Sequence, residues 1–491
     1  MKFFGRSLRA PVKSIWAVLF MINYSINSGS SQIASGLHNE NYAGIHGIIT
    51  NPAFGPHGYL GWDVNLGSAH LFFQNNYGFI TNTHLLDLLG NTAAIELVNS
   101  EDPATTGARI LDFYSGRNSY YFSVNLDVMG PSFYAEIGKF GIGLFTRGRI
   151  SSSSQRIPGQ LGYYEYTNLA INNPTVVSPF QAGALAWTEY GANLSSASLF
   201  SDRRLSLGLN LKYLVGHEGF YAHSLDMTNL VRLSGDQIEV SSGIGEYALT
   251  NGIADPNNLD YQSNGRGMAI DLGASYELDR MRIGISILDI GRIKFSQNAA
   301  WYRLIVNDAL TIPLDDLTNS DNPGAVIQTL NQIVVSNGLD STLQSESFTM
   351  SLPARLSLGI DYYLFDQFYV SGTLVQRLNQ SKSGIHADNS ITVTPRFEKR
   401  WLSVSVPLTV HNYQTFRPGF ATRLGILTIG SDDVLSLFGG QDFNGSSLYV
   451  ALKINPFKRK TDEKGYTVNC PRIKRSPWNS HEPVKSARRN N

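Results

Sequence analysis

Leu205, Leu207, Leu209, Leu211 and Tyr213 fall on one face of an extended segment, and Ser206, Gly208, Asn210 and Lys212 fall on the other. A period of two is the side-chain period of a β-strand. The pattern returns in Ile270, Leu272, Ala274 and Tyr276 against Asp271, Gly273, Ser275 and Glu277, and in Leu356, Leu358, Ile360 and Tyr362 against Ser357, Gly359 and Asp361. Leu402 to Leu408 and Leu448 to Ile454 repeat it. Alternation alone also describes a soluble sandwich, whose strands turn one face to a core.

The connections discriminate. Tight junctions occur at Gly138-Lys139, Asp202-Arg203, Asp279-Arg280, Phe365-Asp366, Lys399-Arg400 and Gly430 to Asp433. Longer connections lie between them, at about 81–117, 151–178, 216–265, 297–347, 380–387, 412–415 and 439–445. Strict alternation of short and long connections is the mark of an outer-membrane barrel, with short turns on the periplasmic side. The expected fold is therefore all-β, a transmembrane antiparallel barrel of 14 strands. The spans are 59–80, 118–138, 140–150, 180–200, 204–215, 266–278, 281–296, 348–363, 367–379, 388–399, 401–411, 416–430, 432–438 and 446–456. Proline removes a ladder donor, so a strand kink is expected at Gly130 and Pro131, with a looser one from Gly67 to His70. Leu85, Leu88 and Leu89 in 83–98, and Val326, Leu330 and Ile333 in 325–334, have helical spacing and predict short helices in the outward loops.

Composition fits a wall in lipid. Charged residues are 16% of the chain, against about 25% in a typical soluble domain. Lys2, Arg6, Arg9 and Lys13, an apolar run from Trp16 to Ile22, and Gly29, Ser30 and Ser31 have the layout of a signal peptide, residues 1–31, cleaved before Gln32. That apolar run is far short of the roughly 20 residues that a spanning helix needs. The domains follow: leader 1–31, amino-terminal segment 32–58, barrel 59–457, and a basic tail 458–491. Residues 455–491 hold ten Lys/Arg and three Asp/Glu, whereas 32–454 hold 25 and 36. Such a tail reads either as a solvated, disordered periplasmic extension or as an attractor for anionic partners. One cysteine, Cys470, excludes a disulfide scaffold.

Signatures of catalysis are missing from the sequence: no Gly-x-Ser-x-Gly elbow, phosphate loop, His-Glu-x-x-His or zinc pattern occurs. No enzyme, cofactor, metal or nucleic-acid partner is expected. His217 with His223, and Asp315-Asp316 with Asp321, read as solvated loop residues before they read as metal sites. The polar faces place Asn125, Asp127, Asn210, Lys212, Asp271, Glu277, Asp361 and Arg423 toward the lumen, either as a satisfied polar filling or as the lining of a path.

Tyr42-Ala43-Gly44, then Asn51-Pro52-Ala53 just before the first strand, resembles the amino-terminal region of the FadL-like (long-chain fatty-acid transporter and PorV-like) outer-membrane barrels. Leu352-Pro353 leading into Leu356 to Tyr362 is similar to a strand pair of that superfamily. Val393 to Glu398, Val404 to Leu408 and Arg423 to Gly430 resemble an uncharacterised barrel family of Bacteroidetes-type bacteria. The resemblance implies a lumen plug at 32–58, hinged at Asn51, Pro52 and Ala53, inside 14 strands. It implies passive uptake of a hydrophobic, fatty-acid-like molecule across the bacterial outer membrane. Because the superfamily also contains attachment partners of type IX secretion, it equally allows a non-transporting barrel that binds an envelope or secretion-system protein. Members of the barrel family often carry a calcium-binding repeat and a peptidoglycan-binding domain. Asp462-Glu463-Lys464-Gly465 has too few carboxylates for such a repeat.

Overall fold

The computed structural model describes residues 34–456, apart from 82, 91–94, 99–108, 198–203, 235–236, 251–262, 307–308, 314–341, 366, 379–381 and 440–441. The leader, the tail with Cys470, the Asp315-Asp316-Asp321 cluster and the 325–334 pattern lie outside the described residues.

Fourteen passes build the wall. They are β1 (Trp62–Asn75), β2 (Ser119–Met129 and Ser132–Ile137), β3 (Phe140–Pro158), β4 (Gln181–Ser196), β5 (Leu205–Ser224), β6 (Gly265–Glu277) and β7 (Met281–Phe295). There follow β8 (Phe348–Ser351 and Arg355–Phe365), β9 (Phe368–Arg377), β10 (Ser390–Glu398), β11 (Leu402–Ser405 and Leu408–His411), β12 (Thr415–Pro418 and Phe420–Leu424), β13 (Leu427–Ser431) and β14 (Gly445–Ile454). Sequential passes pair antiparallel, and β14 pairs with β1 from Val64 opposite Ile454 to Gln74 opposite Gly445. That last ladder closes the barrel and leaves no edge, as lipid requires. Among the described residues no helix is long and apolar enough to cross a membrane.

The apolar face of each pass points outward. Met268 is 74% exposed, and Leu211, Leu272, Ile285, Ile360 and Leu452 are also bare. Phe140, Phe365, Phe368 and Trp401 ring the short-turn end, and Tyr413 and Phe416 lie exposed at the other. Aromatic girdles flanking an apolar band belong to a wall whose solvent is hydrocarbon between two interfaces.

Five expectations are corrected. Residues 416–430 are two passes rather than one, because Gly425 takes a left-handed φ of 58° and closes a tight turn at 425–426. The alternation runs through this turn without a polar break, which hid it. The Gly430 to Asp433 junction is consequently not a periplasmic turn, and 432–438 is no strand: Asp432 and Asp433 are buried, and Leu435–Phe438 is a helical turn. The connections expected at 216–265 and 297–347 carry strands at Thr228–Arg232, Gln237–Thr250, Ala299–Val306 and Leu310–Pro313, which continue the sheet beyond the barrel. The 83–98 stretch is helical only over Leu85–Gly90, and Ile95–Leu97 pairs as a strand with Arg109–Phe113. Residues 59–80 likewise end the wall at Asn75, with Gly78–Ile80 in that same small separate sheet.

Candidate functional site

The segment 34–60 fills the short-turn half of the lumen, and the wall holds it mainly by its backbone. Glu398 on β10 accepts from Asn41 N at 2.7 Å, from Asn41 Nδ2 at 3.0 Å and from Tyr42 N at 3.3 Å. Lys453 on β14 donates to the carbonyls of Tyr42 and Ala43, and Asp63 accepts from Ile45 N at 2.9 Å. Glu40 pairs with Arg423 at 2.6 Å. A short irregular segment cannot satisfy its own amides, so each buried one must find a partner on the wall. Ile45, Ile48 and Ile49 pack on Met129, Tyr134 and Phe145.

Asn51, Pro52 and Ala53, the residues expected to form a hinge, seat against β4 to β7. Asn51 Oδ1 accepts from Ala53 N at 3.0 Å, so the side chain itself makes the turn that proline begins. Asn51 Nδ2 donates to Ala274 O and Asn193 Nδ2 to Pro52 O. Glycine makes the approach possible: a Cβ on Gly208 would overlap the backbone of Pro52, and one on Gly284 would sit 2.7 Å from Asn51 Nδ2. His38 and His46 of this segment are buried, His38 at the edge of a small cavity. Burial first, then the neighbouring His70, pushes His38 down to about 3. Burial likewise holds His46 well below the usual imidazole range.

Above the plug lies a layer of charge built by seven consecutive passes. Arg147 pairs with Asp127 and Glu189, and Arg149 with Glu189 and Asp289. Lys212 joins Asp271 at 2.7 Å and Asp289 at 2.6 Å, and Arg355 joins Asp289 at 2.8 Å. Four cations meet four carboxylates, the balance that buried charge requires. Asp289 owes its place to a β-bulge: the register with β6 slips between Ile270 and Leu272, and Asp289 adopts a φ of 59°. The extra residue turns both Leu288 and Asp289 inward.

Toward the long-connection end the β4–β8 side becomes apolar, while the opposite side keeps Ser123, Ser151, Ser153, Thr392, His411 and Arg417 buried on the wall. Trp187, Leu214, Tyr221, Phe295, Phe348 and Met350 form one buried cluster. Trp187 links it to the charged layer, donating to Glu189 Oε1 at 2.9 Å beneath the Arg149 guanidinium. Ile80, Leu111, Phe113 and Phe443, from two outward connections, pack as a second apolar cluster, with Tyr163 and Tyr164 of a third against it.

The structure places the polar residues singled out in the sequence as follows. Asp127, Lys212 and Asp271 join the charged layer. Asn210 bridges Ile48 O and Asp271. Asp361 pairs with Arg282 and Arg396 lower down, and Arg423 holds Glu40. Asn125 is buried on β2, while Glu277 borders a small cavity at the short-turn end and is apart from the charged layer. β2 breaks at Gly130 and Pro131. The sequence reading missed Glu40, Asp63, Arg147, Arg149, Glu189, Asp289, Arg355, Arg396, Glu398 and Lys453. Parity would have found several: Arg147 and Arg149 share the face of Ser151 and Ser153, and Glu189 that of Asn193. Asp289 had no such signal, because its bulge exists only once β6 is paired. Among the described residues no group of three or more His, Cys, Asp or Glu could hold a metal.

Among solved structures the chain is similar to the Ralstonia pickettii toluene transporter TbuX, at 10% identity over 88% of this chain and 99% of that one, with a TM-score of 0.39. It is similar to the P. putida toluene transporter TodX at 11% identity over 87% and 99%, with a TM-score of 0.40. A Pseudomonas aeruginosa FadL homologue matches at 11% identity over 87% and 96%, with a TM-score of 0.22. No curated protein matches. The profile of DUF5723, a family of unknown function, matches residues 52–432, from Pro52 to the buried Asp432, and the chain belongs to that family.

Proposed function

We propose that this barrel sits in the bacterial outer membrane and passes a small hydrophobic molecule, of the size and polarity of a fatty acid or an aromatic hydrocarbon. The observation that carries the reading is the change of lining along the lumen. A water-filled pore is polar throughout, whereas here the β4–β8 side nearest the long connections carries Trp187, Tyr221, Phe295, Phe348 and Met350. An apolar ligand gains by leaving water for contact with such side chains. It travels down its own gradient and leaves when the plug shifts on its Asn51-Pro52-Ala53 hinge, or past the β2 break at Gly130 and Pro131. The test is uptake of a labelled fatty acid and of toluene by proteoliposomes and by a transporter-deficient host, with Phe295→Arg, which puts a cation into the apolar cluster, as the comparison. Uptake equal to that of empty vesicles, with no binding by the purified protein, would refute the proposal.

A second reading rests on a different observation. The plug and the charged layer together occupy the lumen from β2 to β14, and the sheet continues outward through Thr228–Arg232 and Gln237–Thr250. A filled barrel with an extended outer sheet suits a secretion or envelope attachment protein. Crosslinking that captured a stoichiometric envelope protein, together with absent uptake, favours it.

A further inference from the structure

Two cavities lie on one side of the plug and touch at a single pair of side chains. The larger, 80 Å³, is bounded by Asn51 and Phe54 of the plug and by Ser357, Gly359 and Ser371 of the wall. The smaller, 40 Å³, is bounded by Asn41 and Tyr59 and reaches Asp279 and Arg280, which are exposed in the β6–β7 turn. Arg282 and Asp361 line both, and their ion pair, 3.2 Å long, is the partition. Each cavity exceeds the ~10–15 Å³ that one water needs. The lining also asks for water: Ser371 Oγ and Asp361 Oδ1 are buried and have no hydrogen-bond partner among the described residues. Nothing lies within 4 Å of a Cβ built on Gly359.

The two sides of the partition differ in how firmly they are held. Asp361 is also fixed by Arg396 at 2.8 Å, so it keeps a countercharge when Arg282 swings away. Arg282 is otherwise tied only to plug atoms, donating to His57 O at 3.2 Å and lying 4.8 Å from the Phe54 ring centroid. From this geometry we propose that a passage for water and water-sized monovalent ions runs from the short-turn face to the plug hinge, with Arg282 as its gate. Opening it hydrates the face of Asn51 that bonds Ala274 O, so wetting the passage and loosening the hinge are one event. This route is separate from the apolar path proposed above and does not depend on it.

The test uses full-length protein in proteoliposomes with Cys470→Ser, which removes the only native thiol, and Gly359→Cys as a reporter in the larger cavity. Ag⁺, a thiol-reactive cation close to K⁺ in size, is added, and unreacted thiol is read with a maleimide after denaturation. Adding Arg282→Ala is expected to speed modification at least tenfold, and Arg282→Lys to restore the slow rate. If Arg282→Ala does not fold, Arg282→Gln takes its place. Ala269→Cys, in the apolar cluster between β4 and β8, is expected to react at one rate with or without the gate variant. Equal Gly359→Cys rates with and without the gate variant overturn the proposal, as does a parallel rise at Ala269→Cys, which means general loosening of the barrel.

Discussion

Glu398 is the wall residue on which the plug depends most directly, and Glu398→Ala tests that dependence. In the seated plug its two carboxylate oxygens accept two short hydrogen bonds from Asn41, at 2.7 and 3.0 Å, and a longer one from Tyr42 N at 3.3 Å. Truncation leaves these donors facing a void, while Arg396 keeps Asp361 as a partner at 2.8 Å. Hydrogen bonds to a charged group contribute about 1.5–3 kcal/mol each. Counting only the two short ones at the lower end, the seated state loses about 3 kcal/mol relative to a plug whose donors reach water. At about 1.4 kcal/mol per factor of ten, opening becomes roughly a hundredfold more frequent. Amide hydrogen exchange measures this directly. Asn41 and Tyr42 are expected to lose about two decades of protection, while wall amides such as Leu209 and Leu211 keep theirs. If Asn41 and Tyr42 stay protected in a folded variant, the plug is held elsewhere and the reasoning fails.

Three further outcomes are expected. Gly208→Val drives a branched side chain into the Pro52 backbone; overpacking of this kind costs about 1–3 kcal/mol, and protease cleavage within 34–60 should rise, whereas Gly372→Ala, with open space around it, should behave as wild type. Asp289→Ala takes a partner from Arg149, Lys212 and Arg355; breaking a buried ion network costs about 3–5 kcal/mol, read as a lower temperature for the shift from folded to unfolded mobility in SDS gels. Seating of the plug should also weaken as pH falls: a released His38 takes a proton near the usual pKa of about 6.5, while the seated one stays neutral down to about 3, so release binds a proton across that window and is favoured by acid. Protection factors at Ile45–Ile48, with the intrinsic pH dependence of exchange divided out, should therefore fall from pH 6.5 downward and be flat above pH 7, and His38→Asn should reduce the slope.

The amino-acid pattern alone carried the all-β class, the antiparallel up-and-down order and the face that meets lipid, while its total of 14 passes held only because the unseen turn at 425–426 offset the false strand at 432–438. Those follow from a period of two and from the parity of connection lengths, both of which are local properties of the chain. It also marked Asn51-Pro52 as a turn, because proline and an asparagine side chain act within three residues of themselves. Only the tertiary structure decided what the lumen contains. Glu398 and Asn41 lie 357 positions apart, and Glu40 and Arg423 are 383 apart; nothing in either neighbourhood announces the other. Asp289 enters the charged layer through a bulge that appears when β6 and β7 pair, and the 425–426 turn became visible only when β12 and β13 were set side by side. Alternation says which side chains point inward. Which of them meet there depends on how the closed wall sets its strands around the plug, and that is a property of the whole barrel.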